Sequence, residues 1–154
     1  MLSSWGSELA EGVAQNAEKK RIAVQIEADG RQPLELARTK SFGYSCFNLR
    51  ALTELATLGD RVGVDLWHFE TRDGRSIRRA LDYLLPYAES QKSWPYKEIG
   101  GVEPEALAAP LFEASGAYKE PRYAAAARKL AASSHNAGVL LLEAGAELAI
   151  EHHT

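Results

Sequence analysis

The fold is decided by residues 44–62, YSCFNLRALTELATLGDRV, in which apolar side chains recur at intervals of three and four residues. This spacing places side chains on one face of an α-helix. The predicted stripe, widened by Leu52 and Ala56, consists of Phe47, Ala51, Leu55, Leu58 and Val62. Gly59 and Gly63 stand where the helix should end, since glycine suits a helix C-terminus. The stretch therefore predicts an amphipathic helix that packs against others.

Upstream of this stretch, a first helix is predicted over residues 7–21, with the Ser7 hydroxyl accepting a hydrogen bond from a free backbone N–H group. Residues 21–27 remain open between two structures. The alternation of Ile22, Val24 and Ile26 favours a strand, but the helix can also continue through them. Residues 28–30, Ala-Asp-Gly, are typical of a turn.

Downstream, residues 77–88 predict a helix that Pro86 bends or ends, and this helix forms an antiparallel hairpin with the one before it. Pro104 and Pro121 stand where the first turns of two further helices begin, a position that proline tolerates. A last helix is predicted over residues 137–150. The sequence thus predicts one all-α domain over residues 1–154, built of helix pairs that stack into a solenoid or close into an α/α barrel.

Composition excludes several classes of protein. The chain has 154 residues and a net charge of -3 without a long run of one sign, which does not suit nucleic-acid binding. No apolar run reaches the roughly 18 residues of a membrane span, and residues 1–11 lack the pattern of a signal peptide. Cys46 is the only cysteine and is expected to be a small buried side chain. We expect no cofactor and no metal site; His152 and His153 are interpreted as a tail.

Residues 29–48, DGRQPLELARTKSFGYSCFN, are the least generic part of the chain. They place Arg31, Arg38 and Lys40 around the start of a helix near Tyr44. Basic groups beside free N–H groups at a helix N-terminus suit a carboxylate ligand. The alternatives are that these cations are solvated surface and that Tyr44 packs with a single hydrogen bond.

Residues 28–56, with GVDLW at 63–67 and DGRSIRRALDYLLPY at 73–87, resemble the C-terminal portion of alginate-lyase-type polysaccharide lyases, whose members act on alginate or glucuronan. The resemblance covers residues 19–96, and its most specific element is LELAR followed by a tyrosine six residues after the arginine. It implies an incomplete α/α toroid, of which this chain is the C-terminal half. It also implies an anionic polysaccharide as partner, cleavage by β-elimination, and a periplasmic or secreted location.

Carried over by motif, the resemblance makes Arg38 and Tyr44 the catalytic residues, with Arg31 and Lys40 as substrate-binding cations. The alginate enzymes place one more residue between the arginine and the tyrosine, whereas glucuronan-type enzymes are closer to the present spacing. The chemistry needs a cation to stabilise charge beside the uronate carboxylate. It also needs a group that removes a proton and then protonates the leaving oxygen, which a tyrosine near a cation can do.

One family element is absent from the sequence. The family also uses Asn-Asn-His upstream of the matched region, but this chain has only His68, His135, His152 and His153, and none follows an Asn-Asn pair. This predicts that the upstream half of the barrel is missing, and that exposed apolar faces cause self-association. It also keeps open a non-catalytic remnant that binds polyuronate or acts as a helical interaction domain.

Two further alternatives remain open. A glycoside hydrolase would use a carboxyl pair such as Glu35 and Asp65, while a helical protein-binding scaffold is disfavoured by the missing regular repeat. Trp67 is expected to pack. Trp5, and Trp94 with Tyr96, either pack or offer faces to sugar rings.

Overall fold

The computed structural model describes residues 4–133, and its regular structure is helical, which confirms the predicted all-α class. The elements are α1 (Ser4–Ala17), a π-helical turn (Glu18–Ile22), α2 (Ala23–Gln25), α3 (Pro33–Leu36), α4 (Ser41–Arg61), α5 (Ile77–Ala88), a 3-10 turn (Pro104–Leu107), α6 (Ala108–Ala117) and α7 (Pro121–Ala132). The last predicted helix, over residues 137–150, lies outside the described residues.

The first helix starts at Ser4, three residues before the predicted cap at Ser7, and it continues through the π-helical turn into α2. The helix therefore extends through Gln25, and Ile26 and Glu27 follow it outside regular structure, so residues 21–27 do not form a strand. Ile22 and Ile26, four residues apart, are fully buried, while Val24 is 65% exposed. Ile22 is thus buried within the helix, and Ile26 is buried directly after the helix ends.

The buried face of α4 is rotated from the predicted stripe. Phe47 is 71% exposed, which makes its assignment to the core wrong. The buried positions, apolar and polar together, are Ser41, Phe42, Ser45, Cys46, Leu49, Leu52, Thr53, Ala56 and Gly59. Several of them are small polar residues or glycine, which hydropathy does not assign to a core. The prediction that Cys46 is buried is confirmed.

The helices α4 and α5 run in opposite directions, as predicted. Phe42 in the first turn of α4 and Tyr87 in the last turn of α5 both pack on Trp94, at centroid distances of 5.2 and 5.0 Å. Pro86 stays inside α5, which ends two residues later at Ala88. Pro104 and Pro121 begin helical turns, as their position predicted.

The turn at residues 28–30 requires its glycine. Gly30 has a φ of +95°, and a Cβ atom there would lie 2.3 Å from the backbone oxygen of Arg79 and 2.8 Å from the Cβ of Tyr83. The turn therefore presses against α5, and this contact fixes where the chain enters α3.

The core is a single cluster of buried side chains from the long helices and from the loop that follows α4. On α1, Trp5, Leu9 and Val13 follow a spacing of four and are at least half exposed. Self-association through such a face stays a prediction. No helix within residues 4–133 is both long and apolar enough to cross a membrane.

Candidate active site

The two predicted catalytic residues lie together at the N-terminal end of α4. The guanidinium carbon of Arg38 lies 3.5 Å from the centroid of the Tyr44 ring. The Arg38 side chain is 51% exposed, and the carboxylate nearest to it, that of Glu35, is 3.7 Å away. The cation is therefore held over an aromatic face while its outer N–H groups remain accessible to a ligand.

The approach to α4 explains this placement. Pro33 starts the single turn of α3, and the N–H of Arg38 donates to the Glu35 carbonyl at 3.1 Å. The N–H of Tyr44 donates to the Lys40 carbonyl at 2.9 Å. These two local hydrogen bonds stabilise the turn of the chain between Arg38 and Tyr44. This short reversal brings the arginine back over the tyrosine ring.

A polar network one turn below Tyr44 joins α4 to the preceding helices. The Asn48 side-chain amide donates to the Gln32 and Gln25 side-chain oxygens at 2.8 and 3.2 Å, and the Arg21 guanidinium donates to the Asn48 oxygen at 3.1 Å. Gln32, which is buried, also donates to the Ser45 carbonyl at 3.2 Å. These bonds fix α2 and α3 against α4 one turn beyond Tyr44.

The N-terminus of α4 is capped from a distant loop. The N–H of Phe42 donates to the Glu98 carboxylate at 2.7 Å, and the N–H and hydroxyl of Ser41 both donate to the Lys97 carbonyl, at 3.1 and 2.6 Å. The sequence predicted free N–H groups here for a ligand's carboxylate. At Phe42 the protein's own Glu98 carboxylate accepts this N–H group, so it is not free for a ligand.

Trp94 packs and does not offer a free face. Its indole N–H donates to the Ser41 hydroxyl at 2.8 Å, and its rings contact Phe42, Tyr83, Tyr87 and Tyr96 edge-on. This resolves the alternative left open for Trp94 in favour of packing. Trp67, only 4% exposed, also packs as predicted.

Arg31, predicted to bind substrate, is already paired. It lies 2.7 Å from Asp29 and 3.0 Å from Glu27. A hydrogen bond to Tyr96, together with these two carboxylates, raises the pKa of the guanidinium above its already high ordinary value. A substrate-binding role for Arg31 stays a prediction, and these ion pairs argue against it.

Lys40, the other predicted substrate-binding cation, is exposed and lines a cavity of about 280 Å³ with Gly43, Tyr44 and Phe47. Within residues 4–133 no carboxylate lies at ion-pair distance from its ammonium group. The structure therefore brings Lys40 next to Tyr44 with its charge available.

A larger cavity of about 380 Å³ lies beyond the other end of α4, lined by residues that include Trp67, His68, Arg78, Asp82 and Tyr118. Some of its charged groups pair with neighbours, whereas Glu70 and Arg79 have no ion-pair partner among residues 4–133. His68 lies 2.8 Å from Asp65, and Arg78 lies 3.0 Å from Glu120. Burial raises the pKa of Tyr118, whose hydroxyl donates to the Trp67 carbonyl at 2.6 Å.

The carboxyl pair of the hydrolase alternative is not assembled. Glu35 precedes α4 and Asp65 follows it, and α4 is about 30 Å long at its usual rise per residue. Each carboxylate already faces another side chain, that of Arg38 and that of His68 respectively. Among the residues that the structure describes, no group of three or more His, Cys, Asp or Glu side chains is placed to hold a metal ion.

Comparison with known proteins points to one family. The family model described as Alginate lyase matches residues 6–94. The crystal structure of an alginate lyase from Bacteroides ovatus matches with a TM-score of 0.74 and 36% sequence identity, covering 80% of this chain and 33% of that chain. This chain thus spans about a third of the length of that enzyme. No curated protein matches.

Proposed function

This chain belongs to the alginate lyase family, and from that premise we propose that it is a polysaccharide lyase that cleaves a uronic-acid polymer by β-elimination. The observation that carries the proposal is the Arg38 guanidinium 3.5 Å from the centroid of the Tyr44 ring, at a half-exposed helix start. A permanent cation and a phenol are the two groups that the reaction needs side by side.

Each group has a definite task in this proposal. Tyr44, acting in its phenolate form beside the Arg38 cation, takes the proton from the ring carbon that carries the carboxylate. Arg38 binds that carboxylate and stabilises the negative charge that develops on it. The bond from the neighbouring ring carbon to the glycosidic oxygen then breaks, and its electron pair leaves with the oxygen. Tyr44 returns the proton to this oxygen, and the new sugar end carries a carbon–carbon double bond.

The geometry of Arg38 suits this task. A guanidinium presents N–H donors in a rigid plane that matches a carboxylate, and it stays charged throughout the working pH range. Glu35, at 3.7 Å, lies beyond ordinary hydrogen-bond distance and holds Arg38 only weakly. A uronate carboxylate that makes two hydrogen bonds to Arg38 is therefore a stronger partner than the one within the chain.

The substrate class in this proposal is alginate or glucuronan. The six-residue step from Arg38 to Tyr44 favours glucuronan, since it is closer to the spacing of the glucuronan-type enzymes. An anionic polysaccharide is then the partner, and the place of action is the periplasm or the medium outside the cell.

A second candidate is binding of polyuronate without cleavage. This candidate applies if the reaction needs a group that these 154 residues, about a third of the length of the matched enzyme, do not supply, such as an Asn-Asn-His element. Loss of one group that polarises the carboxylate costs on the order of 100- to 1,000-fold in rate, and binding would survive this loss.

The test is to incubate the purified chain with alginate, glucuronan and hyaluronan, and to follow the ultraviolet absorbance of unsaturated uronate ends. We expect absorbance to rise with one of these polymers and to disappear in Tyr44→Phe. The matched control is Tyr118→Phe, which removes a hydroxyl from the larger cavity and should leave the rate unchanged.

The other outcomes are distinct. A folded chain that binds the polymers without producing absorbance identifies the non-catalytic candidate. New reducing ends without absorbance would indicate hydrolysis and would contradict the lyase proposal.

A further inference from the structure

Phe47 is an apolar side chain that the fold leaves outside its core. It lies one turn after Tyr44 on α4 and is 71% exposed, although the neighbouring Cys46 is buried. Together with Lys40, Gly43 and Tyr44 it lines the cavity of about 280 Å³. The open ring of Phe47 thus belongs to the same hollow as the proposed catalytic phenol.

Gly43, between Lys40 and Phe47 on this surface, is not required by the packing of the helix. A Cβ atom there would lie 3.5 Å from the Glu98 Oε1 atom and 4.0 Å from the Lys40 Cβ, which are ordinary contacts. Glycine weakens a helix relative to alanine, so the fold alone would favour the larger residue. Its absent side chain instead deepens the hollow beside Tyr44.

The charges around the hollow suit an anionic sugar. Lys40 supplies an ammonium group without a carboxylate partner in the part of the chain that the structure describes. Glu98 is the acidic residue nearby, but the N–H of Phe42 donates to its Oε2 atom at 2.7 Å. A flat apolar ring beside an ammonium group matches a pyranuronate, which has an apolar C–H face and a carboxylate at its edge.

We propose that Lys40, Gly43 and Phe47 form a binding subsite for the uronate residue next to the one that Tyr44 deprotonates. The ring of that sugar lies on Phe47 and over Gly43, and its carboxylate pairs with Lys40. This inference rests on the proposed function, because it assigns the neighbouring position of the same polymer. It makes Phe47 and Gly43 determinants of affinity and leaves the chemical step to Arg38 and Tyr44.

The test measures binding and turnover separately. Calorimetric titration with alginate and glucuronan hexasaccharides is done on Tyr44→Phe, and Phe47→Ala and Gly43→Ala are added to that background. We expect Phe47→Ala to weaken binding roughly tenfold, as loss of one buried aromatic face does. The matched control is Trp5→Ala on α1, since Trp5 is also 71% exposed and should not affect affinity.

Gly43→Ala provides a signature that a structural role would not give. Alanine strengthens the helix and has room for its Cβ, so we expect the melting temperature to rise by about 2–4 °C while hexasaccharide binding weakens. In the chain with Tyr44 intact, both substitutions should raise KM and leave kcat within about twofold.

Unchanged hexasaccharide affinity in Phe47→Ala and Gly43→Ala, while the chain still produces unsaturated ends, would overturn the subsite and leave the proposed function standing. Weaker binding in Trp5→Ala but not in Phe47→Ala would overturn it as well. If the unsubstituted chain neither binds nor cleaves any polyuronate, the proposed function fails, and the subsite fails with it.

Discussion

The two ends of α4 both gather aromatic and charged side chains, yet they hold their arginine side chains differently. Beyond the C-terminal end, His68 and Arg78 each have a carboxylate within 3.0 Å. At the N-terminal end, the carboxylate nearest to Arg38 is 3.7 Å away, and Lys40 has no ion-pair partner among residues 4–133. The contrast is therefore between Arg78, which an internal carboxylate holds at 3.0 Å, and Arg38 and Lys40, which lie beside Tyr44 without a carboxylate that close.

The difference teaches that cavity size does not identify the site. The larger cavity, about 380 Å³, is lined by Arg78, which Glu120 holds, and by Arg79, which has no ion pair among residues 4–133. The smaller one, about 280 Å³, adjoins Tyr44 and Lys40. An anionic polymer gains most where it does not have to displace an internal carboxylate. Together with the contact between Arg38 and Tyr44, this is why we propose the N-terminal end of α4 as the place of the reaction.

The strongest test of this contrast replaces one arginine at each end of α4 with lysine. Arg38→Lys keeps the charge but loses the planar fork, so kcat/KM on the preferred polymer should fall about 100- to 1,000-fold. Arg78→Lys, which can still reach Glu120, should leave kcat/KM within about twofold. Steady-state assays of unsaturated ends measure both, and a larger loss in Arg78→Lys would reverse the assignment of the two ends.

A smaller effect is expected from the cap of α4. Glu98→Gln removes the charge that accepts the N–H of Phe42, so the free energy of unfolding should fall by about 1 kcal/mol. Activity should fall too, because this cap holds the helix turn that carries Tyr44. Urea denaturation measures the stability, with the exposed Glu103→Gln as control. Equal stability in both variants would show that the cap is dispensable.

Glu113 on α6, which contacts Thr53 in the middle of α4, offers a pH-dependent test that involves neither end. Burial, the main cause, and the nearby Glu54 raise the pKa of Glu113 above its ordinary value of 4.5. The protonated acid then stabilises the fold fully below the pKa of the unfolded chain, and this contribution is lost as pH rises through the higher folded pKa. Glu113→Gln should therefore be more stable than the original chain at about pH 8 but not at about pH 4.

Denaturation midpoints at the two pH values measure this difference, and activity should not depend on the substitution. The control is again Glu103→Gln, which makes the same chemical change at an exposed position and should leave the midpoint nearly unchanged at both pH values. An identical gain at both pH values in Glu113→Gln would contradict the account of this carboxyl group.

The smallest effect is expected beyond the C-terminal end of α4, where Asp65 and His68 pair. Asp65→Asn removes the carboxylate 2.8 Å from the exposed His68 side chain. Exposed pairs of this kind contribute at most about 1 kcal/mol, so stability should change little and activity not at all. A large loss of activity in this variant would contradict the proposal that the reaction takes place at the N-terminal end of α4.

Local spacing explains what the sequence could predict. Arg38 and Tyr44 are six residues apart, and the apolar periods of α4 and α5 are contained within each helix. Glu98 could not be assigned, because it meets Phe42 from 56 residues away. The exposure of Phe47 was also missed, since the core of α4 accepts small polar residues such as Ser45 in place of a large aromatic one.

The most direct test of the central claim is to map where an oligouronate binds, independently of catalysis. An isotope-labelled Tyr44→Phe chain is titrated with glucuronan trisaccharide, and backbone amide shifts are followed by NMR. The account predicts that the shifts concentrate at residues 38–47, with those at residues 65–82 unchanged. Shifts concentrated at residues 65–82 would contradict the proposed site and would place the ligand beyond the C-terminal end of α4.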